Sequence, residues 1–144
     1  MIIPDVNVLV YAFRADSPRN DEYREWLQRV VVGREVVGIT DLTASGFLRV
    51  VTNRKVFNDP APIAVASQFV TRLLEAPRLR WVGESRSSWR HFARLAAEDS
   101  GVTGNRVPDA YLAGTALAHG ASIATADRGF ARYTGLRFFD PCGR

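Results

Sequence analysis

Ile2-Ile3-Pro4-Asp5-Val6-Asn7-Val8-Leu9 decides how this chain is read. The apolar run begins almost at the first residue and carries one carboxylate and, two positions on, one amide. A buried strand of a parallel sheet reads as a near-continuous apolar run, which here predicts a first strand ending near Asn7. Residues two apart on a strand share a face, so Asp5 and Asn7 can address a common ligand. In open α/β sheets ligands sit outside the carboxyl ends of the strands, and Asp5 is thereby a candidate site residue. The competing reading is local, since Asp and Asn also form turns and cap helices.

Outward from this stretch, short apolar runs alternate with helical patterns. A short apolar turn is expected through Phe13. Tyr23, Trp26, Leu27 and Val30 recur at helical spacing from Asn20 to about Val32. Val36 to Ile39 reads as a second buried strand, and Leu42 to Thr52 as a helix. A loop around Asn58-Asp59-Pro60 precedes a helix from Ile63 to Glu75, with Val65, Phe69, Val70, Leu73 and Leu74 expected on its buried side. Leu79 to Val82 is a brief strand, and Ser87 to Glu98 a helix marked by Trp89, Phe92 and Leu95. Pro108 suits a first helical turn, opening a helix over Asp109 to His119. A strand at Ala121 to Thr125, a short helix from Asp127 to Tyr133 and a strand at Leu136 to Phe139 complete the chain. This alternation predicts an α/β fold, a parallel sheet covered on both faces, in one domain over residues 1–144.

Composition narrows the function. At 144 residues, 47% hydrophobic and 24% charged, the chain has the make-up of a soluble globular domain. No stretch is long enough to span a bilayer, and no secretion signal is evident, so a cytoplasmic location is expected. The lone Cys142, beside Pro141 and Gly143, excludes an internal disulfide and is a poor catalytic thiol. The charge of +4 rests almost wholly on arginine, Lys55 being the single lysine. Arginine grips phosphate bidentately and stacks on bases, which leans toward nucleic acid; biased composition explains the same count. His91 and His119 have no metal-ligand spacing to one another, and Trp26, Trp81 and Trp89 read as core or dimer contacts rather than base platforms.

Three carboxylates occupy comparable places: Asp5 at the end of strand one, Asp109 in a first helical turn, and Asp127 just after a strand. In a parallel sheet these ends lie along one edge. Carboxylates gathered there repel one another, and a hard divalent cation relieves the repulsion; Mg²⁺ takes one or two carboxylates and leaves positions for phosphate oxygens. Each aspartate alone is equally a helix N-terminal acid.

Val6-Asn7-Val8-Leu9 after Asp5, Gly104-Asn-Arg-Val-Pro-Asp-Ala-Tyr-Leu-Ala113 and Ile123-Ala-Thr-Ala-Asp-Arg-Gly-Phe-Ala-Arg132 resemble the PIN-domain family, and within it the VapC toxins of bacterial toxin–antitoxin pairs. The resemblance runs the full length, with its motifs in the family's order and spacing. It implies a three-layer α/β/α PIN-like fold with a central, mainly parallel sheet. It also implies an endoribonuclease dependent on Mg²⁺, with Mn²⁺ as substitute. The implied partners are RNA, a VapB-type antitoxin covering the active-site groove, and a second copy in a homodimer.

Residue by residue, Asp5, Asp109 and Asp127 match family acids as catalytic and metal-holding residues. Asn7 and Thr125 are expected to orient ligands, and Arg106, Arg128 and Arg132 to hold the RNA backbone. The chain departs from the family where a Glu normally precedes a Leu-Arg pair: Gly46 stands there, ahead of Phe47-Leu48-Arg49. Asp41 is the nearest substitute, though its spacing fits a helix cap better. Gly129 likewise stands where many relatives carry a further Asp. Two rivals remain open. One is a phosphatase using Asp5 as nucleophile, which the scarcity of lysine disfavours. The other is a weakened PIN-like module that binds RNA or a partner without cutting.

Overall fold

The computed structural model describes residues 1–143. Five strands, β1 (Ile2–Pro4), β2 (Val37–Ile39), β3 (Leu79–Trp81), β4 (Ser122–Ala124) and β5 (Arg137–Phe139), form one parallel sheet in the order β3-β2-β1-β4-β5. The register pairs Ile2 with Ser122, Ile3 with Ile123 and Pro4 with Ala124. The connections run outward one way from β1 through β2 to β3, and the other way from β4 to β5. The order therefore reverses between β1 and β4, the switch point at which open α/β sheets leave a crevice for ligands.

Six helices cover the sheet: α1 (Val6–Phe13), α2 (Asn20–Val31), α3 (Asp41–Val51), α4 (Ile63–Leu74), α5 (Arg86–Glu98) and α6 (Arg106–Ala118). They bury two cores. One gathers Val8, Leu9, Tyr23, Trp26, Phe47 and Val70 from α1 to α4 against Val37 and Ile39. The other packs Leu95, Ala110, Ala113 and Ala116 from α5 and α6, with Phe130 and Tyr133, against Ile3 and Ile123. This is the expected three-layer α/β/α arrangement. The small residues of α6 let α5 come close: a Cβ at Gly114 would stand 2.8 Å from the Phe92 nitrogen and the Ser88 carbonyl oxygen. None of the described helices is long and apolar enough to cross a membrane.

Several boundaries differ from the sequence expectation. β1 stops at Pro4 and a helix begins at Val6, so the strand does not reach Asn7 and the segment to Phe13 is helix rather than turn. An unbroken apolar run has no period to tell strand from helix; Asp5 decides it, because its carboxylate accepts from the Val6 N–H and caps α1. α6 starts earlier than expected, at Arg106. The segment after Asp127 is a 3₁₀ turn, Arg128–Arg132, capped by the Asp127 side chain on the Gly129 N–H. On α4, Ala66 and Val70 are buried whereas Val65 and Leu74 face solvent, since the helix is rotated from the face its apolar residues suggested. Trp26 is core, but Trp81 and Trp89 are about half exposed in the single chain.

Candidate active site

The strand ends bring Asp5, Asp109 and Asp127 into the lining of one groove, together with Asn7. Asp5 is buried and fully engaged. Its Oδ1 accepts from the Val6 N–H at 2.7 Å, and its Oδ2 accepts from the Asn7 amide at 2.7 Å and the Thr125 hydroxyl at 2.8 Å. Thr125, the residue after β4, accepts in turn from the Asn7 amide at 3.1 Å and the Asp127 N–H at 3.0 Å. The Asn7 side-chain Oδ1 accepts from the Ala126 N–H at 3.2 Å. One network of short side chains thus ties the segment after β1 to the segment after β4 across the switch point. Asn7 takes part from the first turn of α1, reaching back to Asp5, rather than from a shared strand face as the sequence suggested.

Asp109 differs. It sits half-buried near the start of α6 and makes no hydrogen bond or ion pair within the described chain. Desolvation, then the charges of Asp5 and Asp127, push its carboxyl up to about 6, with Arg132 pulling the other way. Burial likewise raises the Asp5 carboxyl; Thr125 and the Val6 N–H oppose this, Asp127 adds to it, and Asn7 lowers it. Asp127 is exposed, its Oδ1 held by the Gly129 N–H at 2.7 Å. Among the described residues no three His, Cys, Asp or Glu side chains close into a ready-made metal cage. The aspartates face a shared groove instead.

Two of the three expected arginines stand beside these acids. Arg106 and Arg132 line a hollow with Asp109, Asp127 and Tyr133. Arg132 is paired with Asp99 at 3.2 Å, and Arg106 reaches toward the Gly101 carbonyl at 3.4 Å. Arg128 opens instead onto an adjoining hollow that it shares with Arg19, Asp127 and Asp140. Tyr133 was not singled out from the sequence; burial and then the charge of Asp109 push its phenol up to about 12. An aromatic closing a short helix carries no chemical signal, which is why it was missed.

Asp41 does not substitute for the missing acid. It is the first residue of α3, exposed, and lines a separate hollow with Leu42, Glu84 and Tyr111. Gly46 is packed rather than vacant: a Cβ there would lie 2.7 Å from the Val6 Cγ2. His91 and His119 stay outside the groove, His119 lying 3.3 Å from the Gly83 carbonyl.

A PIN domain family model matches residues 2–136. This chain belongs to the PIN domain family. Ribonuclease VapC43 of Mycobacterium tuberculosis is 43% identical over 141 residues, spanning 98% of this chain and 95% of the relative. Ribonuclease VapC31 of the same organism is 32% identical over 143 residues, spanning 98% and 99%. Among solved structures, VapBC2 of Rickettsia felis bound to promoter DNA superposes with a TM-score of 0.70 at 19% identity, over 96% of this chain and 98% of the other. DNA-bound VapBC of Salmonella typhimurium does so with 0.69 at 19%, over 98% of each. At such identities the superpositions speak for the PIN fold alone.

Proposed function

We propose that this PIN domain is a VapC-type toxin, an endoribonuclease that hydrolyses RNA phosphodiesters with a divalent metal and is restrained by a VapB-type antitoxin. The curated ribonuclease relatives support the activity and the VapBC superpositions the pairing. The observation that carries the chemistry is the half-buried, unpartnered Asp109 beside two further aspartates in one groove. A lone carboxylate pushed up by burial and then by like charges is short of a cation, and hard oxygen donors suit Mg²⁺ or Mn²⁺.

Asp5, Asp109 and Asp127 would hold the ion. Bound there, it would supply Lewis-acid activation of a water and offset charge gathering on the attacked phosphate. The chain's own groups do the rest. Asn7 and Thr125 fix the rotamer of Asp5, so one of the carboxylates is set before substrate arrives. Asp127 Oδ2 stays outside the capping bond that Oδ1 makes and is the open acceptor for a proton from the attacking water. Arg106 and Arg132, at the margin of the acids, meet the backbone phosphates. Attack by water leaves the ribose 2′-hydroxyl idle; with the 3′-oxygen as leaving group the P–O3′ bond breaks, that oxygen takes a proton, and the products carry a 5′-phosphate and a 3′-hydroxyl.

Gly46 favours one alternative, an RNA-binding module whose catalysis is weakened by the missing acid. One experiment separates them: total RNA incubated with Mg²⁺, Mn²⁺ or chelator, with the intact chain and with Asp5→Asn. Metal-dependent fragments bearing 5′-phosphates, absent with the variant, establish the nuclease. RNA binding without fragments in any lane gives the module.

A further inference from the structure

The groove that holds the acids has a second flank that hydrolysis does not use. Beside the aspartates it is walled by Val10, Tyr11, Val50, Val56 and Phe57. Val56 is 53% exposed, a large apolar side chain left in water on a loop. The loop joins α3 to α4 and reads Arg54-Lys55-Val56-Phe57. Arg54 and Lys55 are exposed and make no ion pair within the described chain. The Tyr11 hydroxyl, on the same wall, has no hydrogen-bond partner among the described residues.

The loop is held in place. The Val56 and Phe57 N–H groups both donate to the Asn53 carbonyl at 3.0 Å, and the Lys55 N–H donates to the Asn53 side chain at 2.9 Å. The Arg14 guanidinium lies 4.1 Å over the Phe57 ring, itself anchored on the Asp59 carbonyl at 2.7 Å and on Asp16 at 2.6 Å. A wall so fixed loses little freedom when something docks on it.

We propose that this wall is a base subsite, which seats one unpaired nucleobase of the RNA beside the phosphate to be cut, while Arg54 and Lys55 hold the flanking backbone. The inference rests on the ribonuclease reading above. Charge selects the occupant: aromatic and apolar side chains interleaved with unpaired cations match single-stranded nucleic acid, whose bases stack while its phosphates meet the cations. A purely apolar segment would leave both cations without anions, and an antitoxin that covers the groove would compete with RNA for the same wall. Size agrees with this occupant: the groove, acids and wall together, has about 370 Å³, small-ligand dimensions that admit one splayed-out base.

The test uses a single-stranded oligoribonucleotide pool of random sequence with 2-aminopurine at a fixed central position, and the same oligonucleotides annealed to complements. Binding is followed with Ca²⁺ in place of Mg²⁺, and cleavage separately with Mg²⁺ and Mn²⁺ by sequencing the product ends. Expected are 2-aminopurine quenching with the single strand only, a base preference beside the cut, and about ten-fold weaker binding with loss of both signals in Val56→Ser and Phe57→Ala. Val56→Ser, at an exposed site, keeps the test valid where Phe57→Ala unfolds. Lys55→Ala should lower the salt dependence of binding. Quenching and preference retained in both variants, or duplex bound as well as single strand, would overturn the subsite and leave the wall to the antitoxin alone. Stacking with no cleavage under either metal keeps the subsite and sinks the nuclease reading.

Discussion

The Thr125 hydroxyl donates to Asp5 Oδ2 at 2.8 Å, joining residues 120 positions apart at the switch point of the sheet. It is a fully buried threonine that also accepts from Asn7 and from the Asp127 N–H. One hydroxyl therefore sets the orientation of one acid and the approach of the chain to another. Thr125→Val keeps the shape and deletes all three bonds. Cleavage is expected to fall by roughly ten- to hundred-fold, as for partners that orient metal ligands. Stability is expected to drop by about 1–3 kcal/mol for polar groups left unpaired. Thr125→Ser should recover most of both. Rates and urea midpoints measured side by side check this; a valine variant with unchanged cleavage would leave Thr125 a packing residue only.

The aspartates also predict how stability responds to pH. The Asp109 carboxyl titrates near 3.8 in the unfolded chain and at about 6 in the folded one. Asp5 is shifted in the same direction. Between those values the folded state binds more protons, so stability falls as pH rises. The metal-free protein is expected to melt highest below about pH 4 as far as this site is concerned, and to lose that contribution as pH passes about 6. Asp109→Asn should flatten the dependence and raise the melting temperature above the transition. Added Mg²⁺ should stabilise the unaltered protein most above the transition, where binding to the ionised site adds its mass-action term. Thermal scans with chelator and with Mg²⁺ across the transition read all three effects.

These acids were legible in the sequence because their spacing tied each to the end of a strand or the start of a helix. Their environments were not. Asp5, Asp109 and Asp127 look alike as letters, yet one is buried and fully hydrogen-bonded, one is half-buried and unpartnered, and one is exposed. That difference comes from which strand lies beside which, and β1 meets β4 only through contacts more than a hundred residues apart in sequence. The sheet and its helices were readable from alternation alone. α1 was not: Val6 to Phe13 read as the end of a strand and a turn, because it is apolar on every side of the helix apart from Asn7. Of the two readings of Trp89, core or dimer contact, the fold removes only the first: α5 turns Ser88 and Leu95 inward, seven residues apart, which leaves Trp89 one step round on the surface against Phe92 and Tyr111.

The arginines beside the acids make separable contributions. Arg106 is exposed, without an ion pair, and shares its hollow with Asp109 and Asp127. Arg106→Ala should raise KM for RNA with little change in kcat and reduce the salt slope of binding by about one. Arg132 is committed to Asp99 at 3.2 Å and to the Gly129 carbonyl at 3.2 Å, so it also braces the turn that carries Asp127. Arg132→Ala should therefore lower kcat as well as raise KM. Equal effects of the two substitutions on kcat would contradict this division.

Gly46 predicts a packing dependence between α1 and α3. A Cβ at that position would meet the Val6 Cγ2 at 2.7 Å, closer than real contacts allow, and valine is stiff at χ1. Gly46→Ala gains about 1 kcal/mol of helix propensity but forces Val6, the first residue of α1, away from α3 at an overpacking cost of about 1–3 kcal/mol. Because Val6 lies between Asp5 and Asn7, that displacement reaches the hydrogen bonds that hold the Asp5 carboxylate. Gly46→Ala is thus expected to reduce cleavage more than its modest stability loss accounts for. Val6→Ala should relieve it, with a favourable coupling on the order of 1 kcal/mol in a double-mutant cycle. Gly46→Glu, which installs the acid that the family resemblance implies there, is expected to impair the unaltered chain and to be tolerated only beside Val6→Ala. Isothermal titration with Mn²⁺ on that pair shows whether the restored carboxylate adds a second binding event. Additive stabilities across the Ala cycle, or Gly46→Glu accepted with Val6 in place, would refute the close fit of the two helices as the reason for a glycine at this position.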